Sequence, residues 1–337
     1  MGNKKLLIVG SNALWAIENI YARHLNGLGL QTSIFNCSSF IERSLNTRVF
    51  IRLGFNHVYK QVNTELIRVC LVEKPDIVWI FKGVEIFPET LHKLKTLGIY
   101  LANYNPDHPF IRTFTSSGGK NIPESVPLYD KHFCYSRALV TQIETEYQIS
   151  SEWLPFGFEL SEQQYQQALA EPEVLRACFL GNPDKKRASI IQMVAKEGIP
   201  IDVYGHGWQK WLKPSRNLGI YDGIYQDEFW KTLRKYRVQL NIFREHNEGS
   251  HNMRTFEVPA VGGVMLAPES EEHQYFFQKE TECFLYYNQQ DLMNQIEKIL
   301  QLNKVQNMRD IARKKSINFN YSYYYRALDV MKSFRII

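Results

Sequence analysis

What the sequence lacks narrows its function first. No apolar run approaches the roughly 18 residues that cross a bilayer. The opening Met1-Gly2-Asn3-Lys4-Lys5 leads into only five apolar-type residues, Leu6–Gly10, before Ser11-Asn12. That is too short for the core of a secretory signal, and Leu6 stands where a myristoylation signal carries Ser or Thr. A cytoplasmic protein is expected. The five cysteines, at 37, 70, 134, 178 and 283, are scattered, with no CxxC and no histidine pair at ligand spacing. They read as reduced core thiols, neither a disulfide frame nor a zinc site. HExxH, GxSxG, a P-loop and a complete GxGxxG are all missing. Gly205-His206-Gly207 opens like a dinucleotide fingerprint, but position 210 is Lys. No Asp-x-Asp occurs, which removes the usual carboxylate pair for a metal–diphosphate site, and no metal is expected. Neither charge sign dominates: 40 Lys+Arg against 35 Asp+Glu leave +5. The tight basic runs, Lys185-Lys186-Arg187 and Arg313-Lys314-Lys315, are too short for a nucleic-acid footprint.

What is present is an ordinary globular composition, 44% hydrophobic and 22% charged. The 337 residues suggest two domains. Short apolar strands alternate with helical patterns. Leu6–Gly10, Thr32–Phe35, Asp76–Phe81, Tyr100–Tyr104 and Lys131–Ser136 read as strands. After the first, Leu14, Ile17, Tyr21, Leu25 and Leu28 recur at helical spacing with Ser11 or Asn12 to cap. Pro88–Leu97 and Ala138–Gln148 also read as helices. The rhythm breaks near Trp153–Gly157, and polar Ser161–Glu171 reads as a connection. It then restarts, with strands at Ala177–Gly181, Ile201–Gly205, Val238–Phe243, Val264–Ala267 and Cys283–Tyr287. Helices are expected at Arg187–Glu197, Gln226–Tyr236, near Arg254–Val261 and at Gln290–Leu302. Near-continuous apolar strands separated by helices predict parallel sheets covered on both faces. Ligands of such sheets bind beyond the carboxyl ends of the strands, and a cleft between the two domains is the default site.

The most informative stretch runs from Asn247 through Glu248, Gly249, Ser250, His251 and Asn252 to Arg254, Glu257 and Gly262-Gly263. A polar, donor-rich loop enters a short helix with an arginine in its first turn, where it opposes the helix dipole. Free N–H groups and a guanidinium together suit an anion, and Glu257 suits ribose hydroxyls. Alternatively Arg254 and Glu257, at i and i+3, only pair with each other on an exposed face. Arg244 follows a strand end and either reaches the ligand or pairs with Glu245 or Glu248. Asp107, with His108 second, follows a first-domain strand and is the candidate for proton handling or acceptor positioning; a plain turn aspartate is the other reading. Gly10-Ser11-Asn12 is either a phosphate or acceptor contact or a helix cap. Tyr204 and Trp208 either flank a base or pack in the core.

The run Asn252-Met253-Arg254-Thr255-Phe256-Glu257-Val258-Pro259-Ala260-Val261-Gly262-Gly263 resembles the donor-site signature of CgeB-like and YkvP-like glycosyltransferases, relatives of the retaining GT-B family 4. Lys74–Val78 with Lys82-Gly83, Asn105-Pro106-Asp107, Leu154–Phe158, Phe179–Asn182 with Arg187, and Val203–Trp208 fit the same pattern in order. So does the tail from Glu282 to Arg326. The resemblance implies an α/β GT-B fold: two Rossmann-like domains whose parallel sheets face a central cleft. Residues 1–158 would hold the acceptor, 159–175 would link, 176–318 would hold the donor, and 319–337 would return to the first domain.

It further implies metal-independent transfer of a sugar from a UDP- or GDP-linked donor to a glycan, lipid-linked or small-molecule acceptor, with retention. No other cofactor is implied, and peripheral membrane contact is left open. Gly181-Asn182, either Lys186 or Arg187, and Arg254 occupy the diphosphate positions, Tyr204, Gly205 and Arg244 complete the donor site, and Glu257 takes the ribose. The family's second glutamate, eight positions earlier, is replaced by Gly249. Either Glu248 substitutes for it, or Ser250, His251 and Asn252 read the sugar. That departure leaves a rival open, a degenerate GT-B protein that binds a nucleotide sugar as a sensor or scaffold.

Overall fold

The computed structural model describes residues 4–42, 44, 49–51, 56–111, 120–244, 247 and 249–336. The chain divides into two compact units, Met1–Pro155 with Tyr323–Ile337, and Phe156–Ser322.

Unit 1 is built on a parallel sheet ordered β2-β1-β3-β4-β5-β6. Its strands are β1 (Lys5–Gly10), β2 (Gln31–Asn36), β3 (Ile77–Phe81), β4 (Tyr100–Asn105), β5 (Lys131–Cys134) and β6 (Ser150–Trp153). The helices are α1 (Ile17–Gly27), α2 (Lys60–Glu73), α3 (Pro88–Thr96), α4 (Asn121–Ser125) and α5 (Arg137–Tyr147), together with the late helix Tyr323–Ser333. The alternation of β3 divides two chemistries between its faces. Val78 and Ile80 pack with Val62 and Leu66 of α2 and with Leu91 and Leu94 of α3. Trp79 and Phe81 turn the other way into an aromatic layer, with Tyr21 4.9 Å from Trp79 and Tyr323 5.6 Å from Tyr21. Many of the chain's aromatic rings are therefore core.

Unit 2 repeats the plan with the order β12-β11-β10-β7-β8-β9. It contains α6 (Glu162–Leu169), β7 (Val174–Leu180), α7 (Lys185–Lys196), β8 (Ile201–Tyr204), β9 (Leu218–Tyr221), α8 (Gln226–Lys235) and β10 (Tyr236–Leu240). These are followed by α9 (Met253–Ala260), β11 (Met265–Pro268), α10 (Glu271–Phe276), β12 (Phe284–Tyr286), α11 (Gln289–Gln301) and α12 (Gln306–Asn318). The helix Tyr323–Ser333 of unit 1 is thus α13. The order reverses between β7 and β10, so the topological switch point, where open α/β sheets bind ligands, lies beyond Leu180 and Leu240.

The expected elements are present within a few residues at most ends. The polar stretch read as a connection contains α6, closed by a capping box between Ser161 and Gln164. Helix α1 starts at Ile17 behind Ala16, with no side-chain cap, so neither Ser11 nor Asn12 caps it. All five cysteines are free and buried. Among the described residues no helix is long and apolar enough to cross a membrane.

Candidate functional site

Two strand ends in unit 2 are drawn together by glycine. A Cβ on Gly205 would stand 2.2 Å from the Gly181 carbonyl oxygen, so only glycine lets the turn after β8 lie against the turn after β7. Trp208 Nε1 then donates to that same carbonyl at 2.9 Å. Trp208 is fully buried and packs edge-on to Phe179. It braces the turn and flanks no base, which corrects that alternative. Tyr204 is half-buried, stacks on Tyr221 at 4.8 Å and shares a 2.9 Å hydrogen bond with the Tyr236 hydroxyl. Burial pushes its phenol up to about 12.

Arg187, in the first turn of α7, spans the switch point. Its Nε and Nη2 donate to the Ile242 carbonyl at 3.1 and 2.9 Å, and its Nη1 donates to the Asn182 carbonyl at 3.1 Å. Burial above all lowers it to about 10, and the positive charges of Arg244 and Arg254 add to this against Asp184. Arg187 therefore feels the positive charge of Arg244 and Arg254 at the carboxyl ends of β7 and β10. Arg187 itself is largely committed to backbone carbonyls and acts as a bracket. Arg244 is exposed just past β10, and Lys186 is half-buried beside Arg187.

Helix α9 begins at this place, and its start explains itself locally. Asn252 is the N-cap, and its side chain and that of Thr255 complete a capping box. Asn252 Nδ2 also donates to Asn241 Oδ1 at 2.6 Å. The Thr255 hydroxyl accepts from Asn252 N–H at 3.2 Å and Asn241 Nδ2 at 3.3 Å, and lies 2.9 Å from His273 Nε2. His273 Nδ1 bonds the Pro268 carbonyl, so Nδ1 carries the proton and Nε2 accepts from Thr255. Burial lowers His273 to about 4, which keeps it neutral near pH 7.

One turn into α9, Arg254 meets two groups. Its Nη1 donates to Glu257, and its guanidinium lies over the Phe229 ring of α8, 4.6 Å from the centroid. Arg254 and Glu257 do pair, yet not on an exposed face: Glu257 is 6% exposed. Burial pushes its carboxyl above the usual range and Arg254 opposes that shift. The Arg254 Nε is buried with no hydrogen-bond partner among the described residues. Phe229 was not singled out by the sequence, because a half-buried aromatic on an amphipathic helix reads as core.

Ser250 and His251 do not present themselves to a ligand. Ser250 Oγ and His251 Nδ1 lie 2.5 and 2.6 Å from the same Glu272 carboxylate oxygen. His251 is fully buried among Phe156, Phe256 and Phe276, with Nε2 accepting from Phe156 N–H at 3.3 Å. The expectation that these two side chains read a sugar is corrected: they anchor the loop, and Asn252 caps the helix. Glu248 lies outside the described residues. Glu272 was the missed partner, its signal being only an acid in the first turn of a short helix.

In unit 1 the singled-out residues also have partners. A Cβ on Gly10 would meet Glu18 Oε1 at 2.6 Å, and that carboxylate accepts from Ser11 N–H at 3.1 Å. Asn12 Oδ1 accepts from Asn19 Nδ2 at 2.8 Å. The β1 turn thus already holds an internal carboxyl, Glu18, whose pKa burial raises. Asp107 takes a 2.9 Å bond from Lys82, whose backbone sits in the left-handed region at φ 61°. His108 Nδ1 accepts from Phe110 N–H at 3.3 Å.

The model of the glycosyl transferase-like family matches residues 186–332. No curated protein matches the chain in sequence. Among solved structures, sucrose-phosphate synthase from Thermosynechococcus elongatus superposes with a TM-score of 0.72 at 10% identity, covering 98% of this chain and 98% of its own. A glycosyltransferase from Rickettsia africae gives 0.68 at 11%, covering 99% and 98%. HepE from Anabaena in complex with UDP-glucose gives 0.67 at 10%, covering 99% and 100%. The fold is GT-B, two Rossmann-like units on parallel six-stranded sheets. These neighbours, at 10–11% identity, are similar to the chain in fold, and the family model covers most of its second unit and of the last helix.

Proposed function

We propose that the chain is a metal-independent, retaining glycosyltransferase of the CgeB-like and YkvP-like kind. Unit 2 takes a UDP- or GDP-linked sugar, and unit 1 takes a glycan, lipid-linked or small-molecule acceptor. The observation that carries the reading is the convergence of Arg187, Arg244 and Arg254 at the β7 and β10 ends, beside the buried acid Glu257. This is a surplus of positive charge at a switch point, next to the unpartnered Nε of Arg254. HepE, of the same fold, was crystallised with UDP-glucose.

The chemistry follows from charge. Cleaving the sugar–phosphate bond places negative charge on the leaving diphosphate and leaves an oxocarbenium-like sugar. Arg254 and Arg244 would neutralise that diphosphate, with Arg187 holding the two strand ends at fixed spacing. Fixed cations stabilise the developing charge without reorganising. Glu257, released from Arg254 by the phosphates, would accept from the ribose hydroxyls. In retaining transfer the departing phosphate can take the acceptor's proton, so a protein base is optional. Asp107, with His108 beside it, falls to positioning the acceptor, as do Gly10, Ser11 and Asn12.

The test is nucleotide release from UDP- and GDP-sugars over a panel of acceptors. Release unchanged by a chelator and lowered roughly 100-fold in Arg254→Ala is the expected result; chelator-sensitive release sinks the metal-independent reading. A second reading, a degenerate GT-B sensor, is favoured by the inward turn of Ser250 and His251. Tight nucleotide-sugar binding with no turnover on any acceptor would establish it instead.

A further inference from the structure

The sheet of unit 1 carries a cavity of about 430 Å³ at the amino ends of its strands. Lys4 and Asp76, which precede β1 and β3, line it together with Tyr100, Lys131 and Ser150, which open β4, β5 and β6. The end of α13 closes it. Phe334 is 5% exposed and packs edge-on against Trp79, Tyr100 and Phe133 at 6.1, 6.2 and 5.4 Å. Strand β4 runs six residues from Tyr100 to Asn105, which is roughly 17 Å. A small ligand in this cavity is therefore out of reach of Asp107.

The turn that ends α13 is a Schellman motif: Ile336 N–H donates to the Met331 carbonyl and Arg335 N–H to the Lys332 carbonyl, both at 2.9 Å. Glycine is the usual residue at the left-handed position of that turn. Here it is Arg335, at φ 54°. Its guanidinium makes no hydrogen bond or ion pair among the described residues. Its charge reaches the Tyr100 phenol, whose pKa burial and Asp130 push up and Arg335 opposes. An arginine in glycine's place with nothing to pair with is held for a contact that the folded chain does not supply. Lys4 has no acid either, since its Nζ donates to the Phe334 carbonyl at 3.0 Å. The carboxylates nearby are already taken. Glu152 accepts from Lys131 at 2.8 Å and from Ser333 Oγ at 2.6 Å, and Asp76 accepts from Lys5 N–H at 2.7 Å. Two cations thus line the cavity without a carboxylate, beside a Tyr100 ring that is 39% exposed. A compact dianion on a flat body answers both features, because guanidinium and ammonium groups hold phosphate oxygens and an exposed ring takes another ring.

The geometry points to a second ligand site here, for a phosphate monoester carried on a ring, with Lys4 and Arg335 on the phosphate and Tyr100 against the ring. It does not depend on the donor-site reading. The test titrates the full chain calorimetrically with phenyl phosphate, inorganic phosphate and phenol. Wild-type protein should bind phenyl phosphate more tightly than inorganic phosphate, and phenol not at all. Arg335→Gly should weaken phenyl phosphate by roughly tenfold or more. The same variant should melt no lower than wild type, because glycine suits the left-handed backbone. Lys4→Met should weaken phenyl phosphate comparably. Tyr100→Leu should cost roughly twofold to tenfold for phenyl phosphate and nothing for inorganic phosphate. Undiminished binding in Arg335→Gly, or no binding of phenyl phosphate by wild type, overturns the site. A lower melting temperature in Arg335→Gly shows that the arginine serves the fold, and overturns its assignment to a ligand. Equal affinity for the two phosphates overturns the ring contact and leaves the anion contact standing. Phenol bound as tightly as phenyl phosphate overturns the anion contact.

Discussion

Glu257 lies buried one helical turn beyond Arg254 and accepts its Nη1–H. A buried carboxylate that loses its ion-pair partner keeps its full desolvation penalty. Arg254→Ala should therefore destabilise the protein by about 3 kcal/mol, read as a lower urea midpoint. Adding Glu257→Gln should restore much of that stability and none of the nucleotide binding. An Arg254→Ala protein as stable as wild type would show that Glu257 does not depend on the pair.

Two buried histidines set an acid limb. Burial lowers His132 and His273 to about 4. In the unfolded chain both take protons near pH 6.5. Between about pH 6.5 and 4 the unfolded state binds more protons, so stability falls as pH drops through that window. Each site contributes about 3 kcal/mol when the window is fully crossed. Glu257 acts in the opposite sense. Its raised carboxyl contributes most below the ordinary carboxylate value, and that contribution fades as pH rises through its own higher one. Denaturant midpoints measured from pH 7 to 4 should fall, and His132→Gln should flatten the fall. A flat wild-type profile would contradict both assignments.

Gly205 and Gly10 are tight for different reasons, and the difference is measurable. At Gly205 the obstacle is backbone, the Gly181 carbonyl; at Gly10 it is the end of the Glu18 side chain. Overpacking against backbone costs roughly 1–3 kcal/mol or more. Gly205→Ala should lower the melting temperature clearly and weaken nucleotide binding, whereas Gly10→Ala should be the milder of the two as Glu18 swings away. The reverse order would contradict this account of the two strand ends.

Thr255 is the hub that sets the start of α9. Thr255→Val keeps the shape and strips partners from the Asn252 N–H, the Asn241 amide and His273 Nε2. A loss of about 3 kcal/mol is expected, and Thr255→Ser should retain most of the stability. If Val is tolerated as well as Ser in chemical denaturation, the hydroxyl is not the organiser.

How far the sequence could be read follows from the range of each interaction. Strands such as Ile77–Phe81 are apolar on both faces and short, and declare themselves. Helix α2 is harder to read: Tyr59 gives it no side-chain cap, so it lacks a start signal despite Val62, Leu66 and Cys70 at helical spacing. Strand β9 is four residues with a glycine inside, too brief for any periodicity. At the site, Arg254 with Glu257 was legible because i and i+3 share a helix face. The inward turn of Ser250 and His251 was not, since their partner Glu272 is 22 and 21 residues further on. For the same reason Lys82 with Asp107, 25 residues apart, left no local trace. Polar residues in a loop look alike in sequence whether they face a ligand or a buried acid.

The most direct test of the central claim is a crystal structure of the full chain grown with UDP or GDP. The diphosphate should lie beyond β7 and β10, within hydrogen-bond reach of Arg254, with Glu257 parted from that arginine and accepting from the ribose. A nucleotide bound elsewhere, with the Arg254–Glu257 pair still closed, would contradict it.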